Sequence, residues 1–232
     1  MKIAILNFSG NVGKTTIARH LITPRIKGAQ LISVETANAD EGEADALRGK
    51  DFAQLQQYMA TVDNLVVDIG ASNIEDLIGL MKKYKGSHED FDYFLMPVVP
   101  DLKQQKDTAK SAAKLAEMGV APERIKIVFN RAEEGVALGK QYNALIAFLK
   151  VSPVANYSEK SVLTENEIYQ LVKADGRSIT QLANDKADYK GMIAKAKTQE
   201  DRLSNADKMA VQRLASGVLP ELDACFEALQ LV

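Results

Sequence analysis

Short apolar runs and longer stretches of helical spacing alternate along the first two thirds of this chain. Residues 2–7 form an apolar run, followed by Phe8-Ser9-Gly10-Asn11-Val12-Gly13 and by a helical pattern over 14–21 that Pro24 stops. The order is strand, loop, helix. Residues 30–34 repeat the strand pattern after Gly28, and 51–59 place Phe52, Leu55 and Met59 on one helical face. A third strand is predicted over 64–68. Residues 74–84 space Ile74, Leu77, Ile78 and Met81 as a helix does, 92–99 read as a fourth strand containing Pro97, and 102–118 as a helix ending at Gly119. A fifth strand over 125–129 runs into Asn130-Arg131, and a helix follows over 138–149.

Strands separated by helices of this length need crossover connections, which imply a mainly parallel sheet covered on both faces. The pattern therefore predicts a doubly wound α/β core over residues 1–157. Beyond it strand patterns cease, and 165–173, 179–196 and 199–231 read as helices with Gly176 and Gly217 as candidate breaks. Residues 158–232 are accordingly expected to be a helical C-terminal extension packed on the core.

Composition narrows the function classes. Hydrophobic residues at 46% and charged residues at 26% are ordinary globular values and exclude a disordered or fibrous chain. With 29 Lys and Arg against 31 Asp and Glu, the net charge of −2 argues against a generally basic nucleic-acid binder and leaves only local patches. The single cysteine, Cys225, excludes a disulfide framework within one chain and fits a reducing cytoplasm. No apolar run approaches the roughly 18 residues of a membrane span, and the N-terminal run is too short for a signal-peptide core.

The strongest chemical signal is Gly13-Lys14-Thr15-Thr16, between a predicted strand and a predicted helix. A loop entering a helix turns several backbone N–H groups toward one point, and the helix N-terminus adds a field favourable to anionic oxygens. Lys14 would meet the β- and γ-phosphates of a nucleotide, and the Thr15 hydroxyl would ligate Mg²⁺. The ordinary phosphate-loop pattern G-x-x-x-x-G-K-[ST] fails, because Phe8 stands at its first glycine.

The stretch Ser9-Gly10-Asn11-Val12-Gly13-Lys14-Thr15-Thr16 instead resembles the deviant Walker A loop, K-G-G-x-G-K-T-T, of the ParA/MinD family of partition and positioning ATPases, agreeing at six of eight positions. Leu65-Val66-Val67-Asp68-Ile69-Gly70 is similar to the family's strand ending in an aspartate near Mg²⁺. Phe94-Leu95-Met96-Pro97-Val98-Val99-Pro100 resembles its next core strand, and Val128-Phe129-Asn130-Arg131 its strand whose terminal asparagine reads the adenine edge. Length and irregular motifs resemble most the small plasmid-stability proteins of the StbB type. The resemblance implies ATP or ADP and Mg²⁺ as cofactors, contacts from Gly10, Asn11, Val12, Gly13, Lys14, Thr15, Thr16, Asn130 and Arg131, and metal ligation by Thr15 and Asp68. It further implies a nucleotide-dependent homodimer, weak ATPase activity, DNA or a plasmid-encoded protein as partner, and work in plasmid partition, stability or positioning.

Two departures bear on catalysis. The family's signature lysine, which reaches a partner's phosphates, falls at Ser9, which is uncharged. Ala37 stands where the family places a water-positioning aspartate, leaving Glu35 and Asp40 as candidate carboxylates beside Lys14 and Asp68. The acidic stretch Glu35 to Asp45 equally suits a solvated loop, while His20 reads as structural and Cys225 as packing. Lys186, Lys190, Lys195, Lys197, Arg202, Lys208 and Arg213 form the best candidate for contact with a phosphate backbone, although interspersed acids also suit a solvated face. Two other readings of the same core remain: a small-molecule enzyme, such as a dethiobiotin-synthetase-like ligase or a small kinase, and a scaffold that binds nucleotide without hydrolysing it.

Overall fold

Alternation along the strands divides the apolar residues between two layers. Ile3, Ile5, Val66, Leu95 and Val128 belong to one buried cluster, while Ala4, Leu6, Val67, Phe94, Met96, Ile127 and Phe129 belong to another. Successive strand side chains point to opposite faces, so a run that is apolar at every position must be covered on both. The computed structural model, which describes residues 1–34, 49–173 and 176–231, shows how this is achieved.

Strand β1 (Lys2–Ile5) leads through a loop into a short helix α1 (Lys14–Thr16), which continues as a π-helical stretch, Ile17–Ile22. Then come β2 (Gln30–Val34), α2 (Gly49–Thr61), β3 (Leu65–Ile69), α3 (Ile74–Lys83), β4 (Tyr93–Val98), α4 (Leu102–Glu117) and β5 (Ile125–Ala132). The chain continues with α5 (Leu138–Gln141), α6 (Asn143–Val151), β6 (Val162–Thr164), α7 (Ile168–Leu171), α8 (Ile179–Ala183), α9 (Tyr189–Lys195) and α10 (Gln199–Ala228). The six strands lie in the order β2-β3-β1-β4-β5-β6, and every pairing is parallel. One face packs against α2, α3, α4 and α6 and the other against the π-helical stretch, α7, α8 and α10. This is the doubly wound arrangement that the sequence implied.

Four expectations are corrected. Strands do not end at residue 129. β5 runs on to Ala132 with a register shift at Arg131, whose φ of 57° takes it out of the ladder, and β6 adds a sixth strand beyond residue 157. With three residues, β6 is too short to show a period. The single helix expected over 138–149 is two, separated at Tyr142, whose hydroxyl donates to Asn130 O at 2.8 Å. The helix expected over 179–196 is likewise two, α8 and α9, because Asp185 and Asp188 accept hydrogen bonds from the turn and cap α9. Gly217 breaks nothing, since α10 runs through it and through Pro220 for 30 residues.

Candidate functional site

Where the chain leaves β1 at the centre of the sheet, successive connections turn toward β2 and β3 on one side and β4, β5 and β6 on the other. Such a reversal opens a crevice at the carboxyl ends of the strands. Here it is a cleft of about 590 Å³, within the usual size for a small-molecule site. Gly10, Asn11 and Gly13 to Thr16 line it in the middle, Gly70 and Ala71 lie on the β3 side, and Asn130, Arg131 and the segment Glu165 to Gln170 with Lys173 on the β5–β6 side. A larger concavity of about 720 Å³, lined by Lys126, Asn156, Ser158 and Glu227, includes no part of this loop.

The loop's shape follows from its residues. Gly13 has φ of 91°, and a Cβ there would lie 2.3 Å from Asn130 Nδ2, so conformation and space both require glycine. Asn11 takes a second left-handed conformation, at φ 58°. Lys14 is 9% exposed, and its ammonium donates to Ser9 O at 2.9 Å and more weakly to Asn7 O at 3.4 Å. The cation is thereby held at the root of the loop. On the β3 side, Thr15 Oγ1 donates to Asp68 Oδ2 at 2.6 Å across 53 residues of sequence. Asp68, at the end of β3, is 3% exposed. A hydroxyl and a carboxylate meeting at a helix start are the hard oxygen donors that Mg²⁺ takes, usually few from protein with the rest from phosphate and water. The residues present therefore fit a magnesium nucleotide.

The structure brings together most of the residues singled out above. Gly10, Asn11, Gly13, Lys14, Thr15, Thr16, Asn130 and Arg131 all line the cleft, and Asp68 reaches it through Thr15. Val12 does not line it: its side chain is fully buried, and its carbonyl accepts from Asn130 Nδ2 at 2.9 Å. Asn130 thus ties the loop to β5. Glu35, Ala37 and Asp40 lie outside the described residues. All seven members of the basic set are exposed, on α9, on α10 or beside them, and none lines the cleft. Ser9 is 3% exposed and donates to Asp107 Oδ2 of α4 at 2.6 Å, so it faces into its own chain.

Sequence reasoning missed two groups. The cleft wall formed by Asn166, Tyr169 and Lys173 carries no motif. The second group, Asp107, Thr108 and Ser111, holds the loop from α4. Its signal was polar residues at helical spacing on a buried face, since Gln105, Thr108 and Ser111 are each 2% exposed or less. The packing assignments stand: Cys225 is fully buried, with its thiol pushed up to about 12 by burial, and His20 accepts the Ile179 N–H at Nδ1.

By sequence the chain matches no family model and no curated relative. By structure it is similar to MinD, a cell division protein of Aquifex aeolicus (12% identity, 94% of this chain and 96% of that one, TM-score 0.53). It is also similar to apo McdA of Cyanothece (16%, 95% and 98%, 0.51) and to pNOB8 ParA (14%, 95% and 98%, 0.51). The chain therefore shares the α/β fold of these proteins, here a six-stranded parallel sheet with a helical C-terminal region.

Proposed function

We propose that this chain is an ATP-binding switch of the ParA type, acting in plasmid partition, stability or positioning. The observation that carries the reading is the glycine loop at the switch point of the sheet, with Lys14 at its root and the Thr15–Asp68 pair beside it. Loop N–H groups and the start of α1 would receive the phosphates, with Lys14 moving from Ser9 O to their β- and γ-oxygens. Thr15 and Asp68 would hold Mg²⁺, which when bound neutralises charge on the phosphates. Asn130 would accept from the adenine amino group, beside Arg131. Glu35 or Asp40 would orient the attacking water in a slow hydrolysis, and loss of the γ-phosphate would release the segment after Asp68.

In this reading two copies associate when ATP is bound, and the basic set from Lys186 to Arg213 meets a DNA backbone or a plasmid-encoded protein. Its support is that all seven cations are exposed on one helical region away from the cleft. Among the described residues no helix is long and apolar enough to cross a membrane.

The test is light scattering after size exclusion together with ATPase assay of one preparation, in apo, ADP and ATP–Mg²⁺ states, with and without DNA. Association confined to ATP–Mg²⁺ and slow turnover stimulated by DNA are expected. Turnover that depends on an added small-molecule acceptor would favour a ligase or kinase.

A further inference from the structure

The first limb of the phosphate loop is bonded to one turn of α4. Asn7 Nδ2 donates to Thr108 Oγ1 at 2.6 Å and to Pro97 O at 2.9 Å, the Phe8 N–H to Ser111 Oγ at 3.0 Å, and the Ser9 hydroxyl to Asp107 Oδ2 at 2.6 Å. Asn7 Oδ1 accepts the Ser9 N–H at 2.9 Å, and Lys110 Nζ lies 4.7 Å from the centre of the Phe8 ring. Proton direction is fixed on the helix side. Thr108 Oγ1 donates to Gln104 O at 2.7 Å and Ser111 Oγ to Asp107 O at 2.8 Å, so both hydroxyls present only lone pairs to the loop. Asn7, Ser9, Thr108 and Ser111 are all buried. The Ser9 carbonyl, in turn, accepts from the Lys14 ammonium at 2.9 Å.

These contacts form a relay in which the Asp107 carboxylate fixes the Ser9 hydroxyl, and the Ser9 carbonyl fixes Lys14. We propose that Asp107 is a positioning residue of the phosphate site, holding the first limb of the loop against α4 so that Lys14 stands ready for a polyphosphate. The inference rests on the phosphate-loop reading above and adds to it a residue outside the loop. A hydroxyl bonded to a carboxylate is stronger than a neutral pair, which suits a contact that must hold while Lys14 changes partner. It also accounts for Phe8 in place of glycine: this limb docks on a helix rather than wrapping a phosphate.

Isothermal titration with inorganic tripolyphosphate and with ATP–Mg²⁺ tests it, on the wild type, Asp107→Ala, Asp107→Asn, Ser9→Ala and the double alanine variant, with thermal unfolding of each ligand-free protein as control. Asp107→Ala and Ser9→Ala should each weaken both ligands by about five- to twentyfold. The double variant should lose no more than either single one, because the two residues act through one contact. Asp107→Asn, whose amide oxygen can still accept the Ser9 hydroxyl, should recover most of the loss. Unchanged affinity in folded Asp107→Ala, additive losses, or no rescue by asparagine would overturn the proposal; if Asp107→Ala fails to fold, unchanged affinity in Ser9→Ala, which removes a single oxygen, does the same. A wild type that binds neither tripolyphosphate nor ATP would overturn the phosphate-loop reading itself, together with this inference.

Discussion

At the scale of single residues, the site is a set of short contacts between groups far apart in sequence, and each can be removed by itself. Lys14→Ala deletes the cation at the loop's root and little packing. ATP affinity should fall about ten- to a hundredfold or more, as charge-assisted contacts of about 1.5–3 kcal/mol imply, while thermal unfolding without ligand changes little. Asp68→Ala should reduce Mg²⁺-dependent turnover by a larger factor than it reduces nucleotide affinity measured in EDTA, since the carboxylate would act through the metal. Equal losses with and without Mg²⁺ would count against that role. Ser9→Lys would restore the charge found in the resembling loop, but the position is buried against Asp107. The new ammonium should pair within its own chain, so light scattering should show no gain in ATP-dependent association.

Among the elements, the π-helical stretch that follows α1 joins the glycine loop to the helical region. His20 in this stretch is 5% exposed and accepts the N–H of Ile179, the first residue of α8. Burial, and secondarily the neighbouring Arg19, lowers its pKa from 6.5 to about 4. The folded protein thus holds His20 neutral where the unfolded chain would already be protonated. Its contribution to stability is full above about pH 6.5, declines as the pH falls, and is lost below about pH 4, a span worth about 3 kcal/mol. Denaturant unfolding between pH 4 and 7.5 should show this decline, and His20→Gln, which keeps a neutral acceptor, should flatten it. A wild-type profile no steeper than that of the variant would remove His20 as the cause.

For the molecule as a whole, charge is nearly balanced but unevenly placed. Residues 186–213 carry seven Lys and Arg against four Asp and Glu, while the chain has a net charge of −2. The excess lies over residues 186–198, where four Lys stand against Asp188, whereas Arg202, Lys208 and Arg213 on the exposed first half of α10 are matched by Glu200, Asp201 and Asp207. In the proposed reading such an excess would attract phosphates without reading bases, and two copies on one DNA would gain avidity from weak single contacts. Binding of labelled duplex, followed by fluorescence anisotropy, should weaken steeply with salt, each neutralised phosphate adding about 0.9 to the log–log slope. Lys190→Glu/Lys197→Glu should reduce both affinity and slope. Binding indifferent to salt and to these charges would exclude the patch.

How much was legible in the sequence depends on the range of the interaction concerned. Five strands, the helices between them and the loop at Gly13-Lys14-Thr15-Thr16 could be read because each is encoded by a period or a motif within about ten residues. A parallel sheet followed from connection length alone. The three-residue β6 could not be read, since its place depends on pairing with β5, nor could the break at Tyr142, where a hydroxyl reaches back to Asn130 O. The division of the site was similar. Lys14, Thr15, Asp68 and Asn130 were nominated by motif, but the meeting of Thr15 with Asp68, the closure of Asn130 on Val12 and the direction of Ser9 are contacts across 53, 118 and 98 residues. By itself the sequence determined which groups could bind a phosphate and on which kind of layer they would stand. Only the tertiary structure decided what holds them, because a buried donor must find its acceptor wherever the packed chain brings one, and here it brought α4.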